Sequence, residues 1–95
     1  MMISVVAKIP VKEGANAEFE AVAKKLCAAV AENEPNCELY EIHKTEDAQM
    51  YLFVERYTDM DAIENHRKSD HFRSLGREMG GHMDGAAEVI RGEQI

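Results

Sequence analysis

The chain of 95 residues has no tryptophan, two prolines, two cysteines and a shortage of bases, 11 Lys and Arg against 18 Asp and Glu. Each shortage removes a class of function. With a formal charge of -7 and no Lys or Arg run along one face, there is no cationic track for a phosphate backbone, and nucleic acid is not expected as a partner. Apolar stretches are broken by charges well short of the roughly 20 residues a membrane-spanning helix needs. The opening Met-Met-Ile-Ser-Val-Val lacks the basic start and cleavage site of an export signal, so a cytosolic (cytoplasmic) protein without membrane contact is expected. Cys27 falls within a helical pattern and Cys37 at a strand start, outside any metal or redox spacing, and both read as reduced thiols, with a disulfide between them the lesser alternative. His43 and His82 have no Cys, Asp or Glu at ligand spacing, and no metal site is expected. Gly76, Gly80 and Gly81 do not follow a strand as a phosphate-binding loop requires. No nucleophile elbow or dinucleotide fingerprint occurs either, so no flavin or nicotinamide cofactor is implied.

What is present suffices for one domain, residues 1–95, since 45% hydrophobic residues can fill a single core. Ile3, Val5, Ala7 and Ile9 alternate with Ser4, Val6 and Lys8 as a first strand. After the Lys12-Glu13-Gly14 turn, Phe19, Val22, Ala23, Leu26 and Val30 recur at helical spacing, which predicts an amphipathic helix from about Ala15 to Asn33. Glu34-Pro35-Asn36 ends it, because Pro35 cannot continue a helix. A second strand is expected over Cys37–Lys44, with Tyr40 and Ile42 on one side and Cys37 and Leu39 on the other. A polar turn at Thr45–Gln49 leads to a third strand at Met50–Tyr57. Two short helices should follow, capped by Thr58 or Asp59 and by Ser69. The first turns Ala62, Ile63 and His66 inward, and the second Phe72, Leu75 and Met79. Gly80-Gly81 stops the second, and Ala86–Arg91 reads as a last strand. Met50, Met60, Met79 and Met83 are expected to fill gaps in the core, and Arg73 and Arg77 to be solvated, with an anion site there a weaker alternative.

This order, strand, helix, strand, strand, split helix, strand, predicts an α+β fold: a ferredoxin-like βαββαβ domain whose antiparallel four-stranded sheet carries helices on one face. The opposite face keeps apolar residues, and a second copy of the chain, a homodimer, is expected to cover it.

The segment Glu55-x-Tyr57-x-Asp59-x-x-Ala62-x-x-x-His66-x-x-Ser69-x-His71-Phe72 resembles the antibiotic biosynthesis monooxygenase family of dimeric α+β barrels. Val11-Lys12-Glu13-Gly14 and Glu34-Pro35-Asn36-Cys37 resemble that family's connecting segments, so the likeness runs through nearly the whole chain. The family includes cofactor-free quinol and anthrone oxygenases, haem-degrading enzymes, an isomerase for a phosphorylated autoinducer, and members without known activity. The haem branch would place its iron-binding histidine near Gly76 and its pocket tryptophan at His66. This chain has neither residue, which disfavours haem degradation. The autoinducer-processing pattern is reproduced by Glu55, Tyr57, Asp59, Asp61, Ala62, His66, His71 and Phe72.

A cofactor-free oxygenase uses its substrate as the reductant, so a base must first ionise a phenol or quinol. Histidine titrates near neutral pH and suits that task. His66 is the candidate base and Glu55 the carboxylate that would orient it; a packed His66 bonded to a carbonyl is the structural alternative. Tyr57, Ile63, His71 and Phe72 are the candidate substrate contacts. Sheet packing for Tyr57, and capping or packing for His71, stay open. The expected ligand is a small aromatic or carbonyl metabolite, oxidised with dioxygen, isomerised or degraded, or simply bound by a non-catalytic module. A pocket lined by His66 and Glu55 would favour an enzyme, and one filled by side chains the module.

Overall fold

The computed structural model of the protein describes all 95 residues. The elements are β1 (Ile3–Pro10), α1 (Asn16–Asn33), β2 (Cys37–Lys44), β3 (Met50–Tyr57), α2 (Met60–Lys68), α3 (Asp70–Gly80) and β4 (Glu88–Glu93). The strands form one antiparallel sheet in the order β2-β3-β1-β4, the expected ferredoxin-like arrangement. The last strand begins two residues later than its composition predicts, because its register is fixed by pairing with β1, from Lys8 opposite Glu88 to Ile3 opposite Glu93.

Alternation sets the faces of the sheet. Ile3, Val5, Ala7 and Ile9 of β1 and Tyr51, Phe53, Glu55 and Tyr57 of β3 are all buried. They meet the inward stripe of α1, Phe19, Val22, Ala23, Leu26 and Val30, and Met79 of α3 joins the same core. A smaller cluster packs Ala62 and Ile63 of α2 on Ile3, Val5 and Tyr57. Phe72 and Leu75, expected in the core, are half-buried at its edge, and Met60 is largely exposed rather than filling a gap. Gly14 takes a positive φ of 84° in the turn before α1, a backbone conformation that a side chain would strain.

One expectation about β2 is corrected. Cys37 pairs with Tyr57 and Leu39 with Arg56, a bulge that places one extra residue between them. Cys37 therefore shares the inner face with Tyr40 and Ile42 instead of opposing them, since an inserted residue resets the alternation. The outer face carries Val6, paired with Val54 and Ile90, and Leu52 opposite Lys8. No helix covers that side. All six residues of β4 are exposed, so the sheet also ends on an open, twisted edge with the inner-face residues Val89 and Arg91 uncovered.

Candidate active site

The site begins where α1 stops. The Glu34 N–H caps the helix by donating to the Val30 carbonyl at 2.9 Å, and Pro35 turns the chain so that the Glu34 side chain points inward, only 10% exposed. A carboxylate at the negative end of a helix macrodipole is poorly placed and needs donors. Two imidazoles supply them. His66 Nδ1 lies 2.9 and 3.0 Å from the two carboxylate oxygens, and His71 Nε2 lies 2.5 Å from one of them.

The helices position both histidines through Ser69. Asp59 starts α2 by accepting from the Ala62 N–H at 2.9 Å. Ser69 ends α2 and starts α3: its hydroxyl donates to the His66 carbonyl at 2.6 Å and accepts from the Phe72 N–H at 3.2 Å. His66 is 4% exposed and is held among the rings of Phe72, Tyr40 and Tyr57, with centroids 4.4, 5.1 and 5.7 Å away. With Nδ1 committed to Glu34, Nε2 makes no hydrogen bond within the chain. No buried polar atom is left unpartnered, so Nε2 opens onto the cavity that His66 lines.

That cavity has a volume of about 720 Å³. Its floor is Val5, Ala7, Ile9 and Phe53 of the sheet, and Ile63, Phe72, Met79 and Met83 wall it. Tyr40, Glu55 and Tyr57 form a polar end beside His66. The Tyr57 hydroxyl donates to Glu55 at 2.6 Å. Burial pushes the Glu55 carboxyl up from its ordinary 4.5 to about 7, opposed by the Tyr57 hydrogen bond and reinforced by the charge of Glu34. Burial also lowers the His66 imidazole below its ordinary range, and the hydrogen bond and charge of Glu34 oppose this. Near neutral pH His66 is therefore a free base, and Glu55 exchanges a proton readily.

The expected partnership of His66 with Glu55 is thus corrected. Glu55 is taken by Tyr57, two residues along the same strand face, and the carboxylate that orients His66 is Glu34. Tyr57, Ile63 and Phe72 do line the cavity with His66 and Glu55. His71 does not. It borders a separate hollow of about 210 Å³ with Glu34, Cys37 and Ser69. Arg73 and Arg77 also line the large cavity, as do Arg67 and Arg91. Sequence patterning missed Glu34 and Arg91; a glutamate at a helix C-terminus, where the dipole opposes it, is the one local signal that marks Glu34.

Glu34, His66 and His71 are the donor set that could hold a metal ion. Ligand atoms on a four-coordinate ion with bonds of about 2.0–2.1 Å stand roughly 3.3 Å apart. Here the Glu34 oxygen lies 2.9 Å from one nitrogen and 2.5 Å from the other, the spacing of shared protons. The cluster reads as a hydrogen-bonded carboxylate bridging two imidazoles. His43 does have a carboxylate neighbour, Glu41 at 2.9 Å, but the pair is half-exposed on the strand. Cys27 and Cys37 are both free. Burial pushes the Cys37 thiol up to about 12, too high for a nucleophile at neutral pH. No helix is long and apolar enough to cross a membrane.

A family model described as antibiotic biosynthesis monooxygenase matches residues 2–77. Among solved structures, the chain is similar to a Caulobacter crescentus protein described as a candidate antibiotic biosynthesis monooxygenase. The two share 36% identity with a TM-score of 0.96, over 99% of this chain and 90% of that one. A conserved protein from Methanosarcina mazei matches at 25% identity and a TM-score of 0.90, covering 100% and 94% of the two chains. Rv0793 from Mycobacterium tuberculosis, at 19% identity and a TM-score of 0.90 over 100% and 96%, shares the fold. No curated protein sequence matches the chain significantly.

Proposed function

The chain belongs to the antibiotic biosynthesis monooxygenase family, and from that premise we propose that it oxidises a small phenol or quinol with dioxygen, using no cofactor. The observation that carries the reading is His66: neutral, fixed through Nδ1 by Glu34, and open through Nε2 to an apolar cavity of about 720 Å³. His66 takes the hydroxyl proton of the substrate, and the phenolate passes one electron to dioxygen. The phenoxyl radical and superoxide couple at a ring carbon that bears hydrogen, and His66 returns its proton to the peroxide. The ring C–H proton then leaves to His66 as the O–O bond breaks, and Glu55 in its acid form protonates the departing hydroxide. The products are a quinone and water, and His66 hands its proton to Glu55 to restore both groups. The apolar middle of the cavity, with Val5, Ala7, Ile9 and Phe53, suits an aromatic ring.

The bare outer face of the sheet, with Val6, Leu52, Val54 and Ile90, supports a homodimer in which a second copy packs on this side.

The test is oxygen uptake across a panel of quinols and phenols. Wild-type turnover should rise with pH below the ordinary histidine range, as His66 loses its proton, and fall as Glu55 ionises near pH ~7. His66→Ala should lower turnover by ~10²–10⁴-fold in protein still folded at the assay temperature, and it should also lower thermal stability, because it empties a packed site and removes one of the two donors to Glu34. Absence of oxygen uptake with every compound sinks the oxygenase reading. The second reading is proton transfer between neighbouring carbons of a small carbonyl compound. It is favoured by the presence, in one cavity, of a free base and a carboxyl that is half-protonated near neutral pH.

A further inference from the structure

Four of the five arginines in the chain, Arg67, Arg73, Arg77 and Arg91, line the large cavity, and none of the six lysines does. In a chain of net charge -7 such a gathering is not a matter of average composition. Arg67 is engaged by Glu64 at 3.6 Å on its own helix. Arg73, Arg77 and Arg91 pair with no carboxylate. The only acid among the lining residues is Glu55, whose proton is largely retained below neutral pH and which is already bonded to Tyr57.

The sheet register gives these charges a direction. Tyr40 pairs with Glu55, Glu55 with Val5, and Val5 with Arg91, so the four stand in one row on the inner face. Arg91 lies two strand spacings, roughly 10 Å, from Glu55 across that row. Arg73 and Arg77, one turn apart on α3, border the cavity above it. The cavity therefore has a proton-transfer end at His66 and Glu55, an apolar middle at Val5 and Ala7, and a guanidinium end. We propose that the ligand of this cavity carries an oxyanion, a carboxylate or a phosphate monoester, held by Arg73, Arg77 and Arg91 while its reactive ring or carbon chain lies toward His66. Planar guanidinium forks match both anions bidentately, and the separation of the two ends fits a fused aromatic ring with one acidic substituent. The orientation rests on His66 as the base; the anion site itself does not.

The experiment compares three probes, 1-naphthol, 1-hydroxy-2-naphthoate and 1-naphthyl phosphate, by calorimetric titration of the full chain at pH 7 with oxygen excluded, so that the phenols bind without being oxidised. At least one anionic probe should bind about tenfold or more tighter than 1-naphthol and weaken as salt rises. Which of the two anions binds tighter tells a carboxylate site from a phosphate site. The double variant Arg73→Gln/Arg77→Gln, and separately Arg91→Gln, should bring anion affinity toward that of 1-naphthol and leave 1-naphthol itself unchanged. Lys25→Gln, the same loss of charge on the outer side of α1, should change nothing. Equal affinity for all three probes, no binding of any at millimolar concentration, or an equal loss in Lys25→Gln would each overturn the proposal. Its failure is separable from that of the oxygenase reading. If the anion preference holds and no quinol consumes oxygen, the anion site stands without that reaction; if neutral quinols turn over and anions are not preferred, the reverse holds.

Discussion

Glu55→Gln isolates the energetic consequence of burying an acid on the cavity floor. The Glu55 carboxyl is 8% exposed and is pushed up from 4.5 to about 7 by burial. A folded-state pKa above the unfolded one means that, between these values, unfolding releases a proton. Stability then falls as pH rises, by about 1.4 kcal/mol per pH unit where the unfolded chain is ionised and the folded one is not. The loss begins near pH 4.5 and is complete just above 7. Between pH 5 and pH 8 the wild type should lose about 2–3 kcal/mol from this group alone. Glutamine has the shape of the protonated acid and can still accept from the Tyr57 hydroxyl, but it cannot ionise. The variant should therefore exceed the wild type by about 1 kcal/mol or less at pH 5 and by about 3 kcal/mol at pH 8. Urea unfolding at both pH values, at one fixed protein concentration, reads this directly. Subtracting the two proteins cancels the opposite contribution of His66, whose lowered pKa costs stability as pH falls below the ordinary histidine range. If the two stability curves run parallel from pH 5 to 8, Glu55 ionises in the fold as it does in the unfolded chain, and its assignment as an acid near neutral pH is wrong.

Glu34→Gln should leave KM for a neutral substrate unchanged and lower kcat by about 10–10²-fold, with the acidic limb of the pH–rate profile moved to lower pH, because the carboxylate is what raises His66 against burial. An unchanged limb would mean that Glu34 only packs. For assembly, sedimentation at micromolar concentration should give a dimer burying more than ~1,000 Å², and Val54→Lys on the outer face should shift it to monomer; a monomeric wild type would contradict the packing proposed for that face.

The elements were legible because period and punctuation agree: alternation in β1 and β3, the three-four spacing of α1, Pro35 after it, Asp59 and Ser69 as caps. What patterning could not give is what a register decides. The inserted residue after Cys37 is invisible to alternation until Tyr57 is seen opposite, and Arg91 is an inner-face residue only once it stands opposite Val5. The inward side of His66 followed from its helix. Its partner did not: the sequence pointed to Glu55, and Glu34 comes beside His66 only because the end of α1 aims it there while Tyr57 occupies Glu55.

The break at Ser69 is where fold and site meet most closely. His66 and His71 are five residues apart, and on one continuous helix at about 100° per residue they would point about 140° away from each other. They could not both donate to a single carboxylate. Ser69 accepts from the Phe72 N–H and bonds back to the His66 carbonyl, so the chain stops one helix and starts another between the two imidazoles. The redirection brings both rings to Glu34. That carboxylate in turn sits at a helix end where its charge is disfavoured unless donors meet it. The capping serine, the helix-ending Pro35 and the two histidines therefore constrain one another. Replacing Ser69 with alanine would remove the cap and loosen the angle between α2 and α3, so its effect should be larger on kcat than its loss of about 1 kcal/mol in stability would suggest. Alanine at Ser74, exposed in the middle of α3, removes the same hydroxyl without touching that angle and should leave kcat as it is.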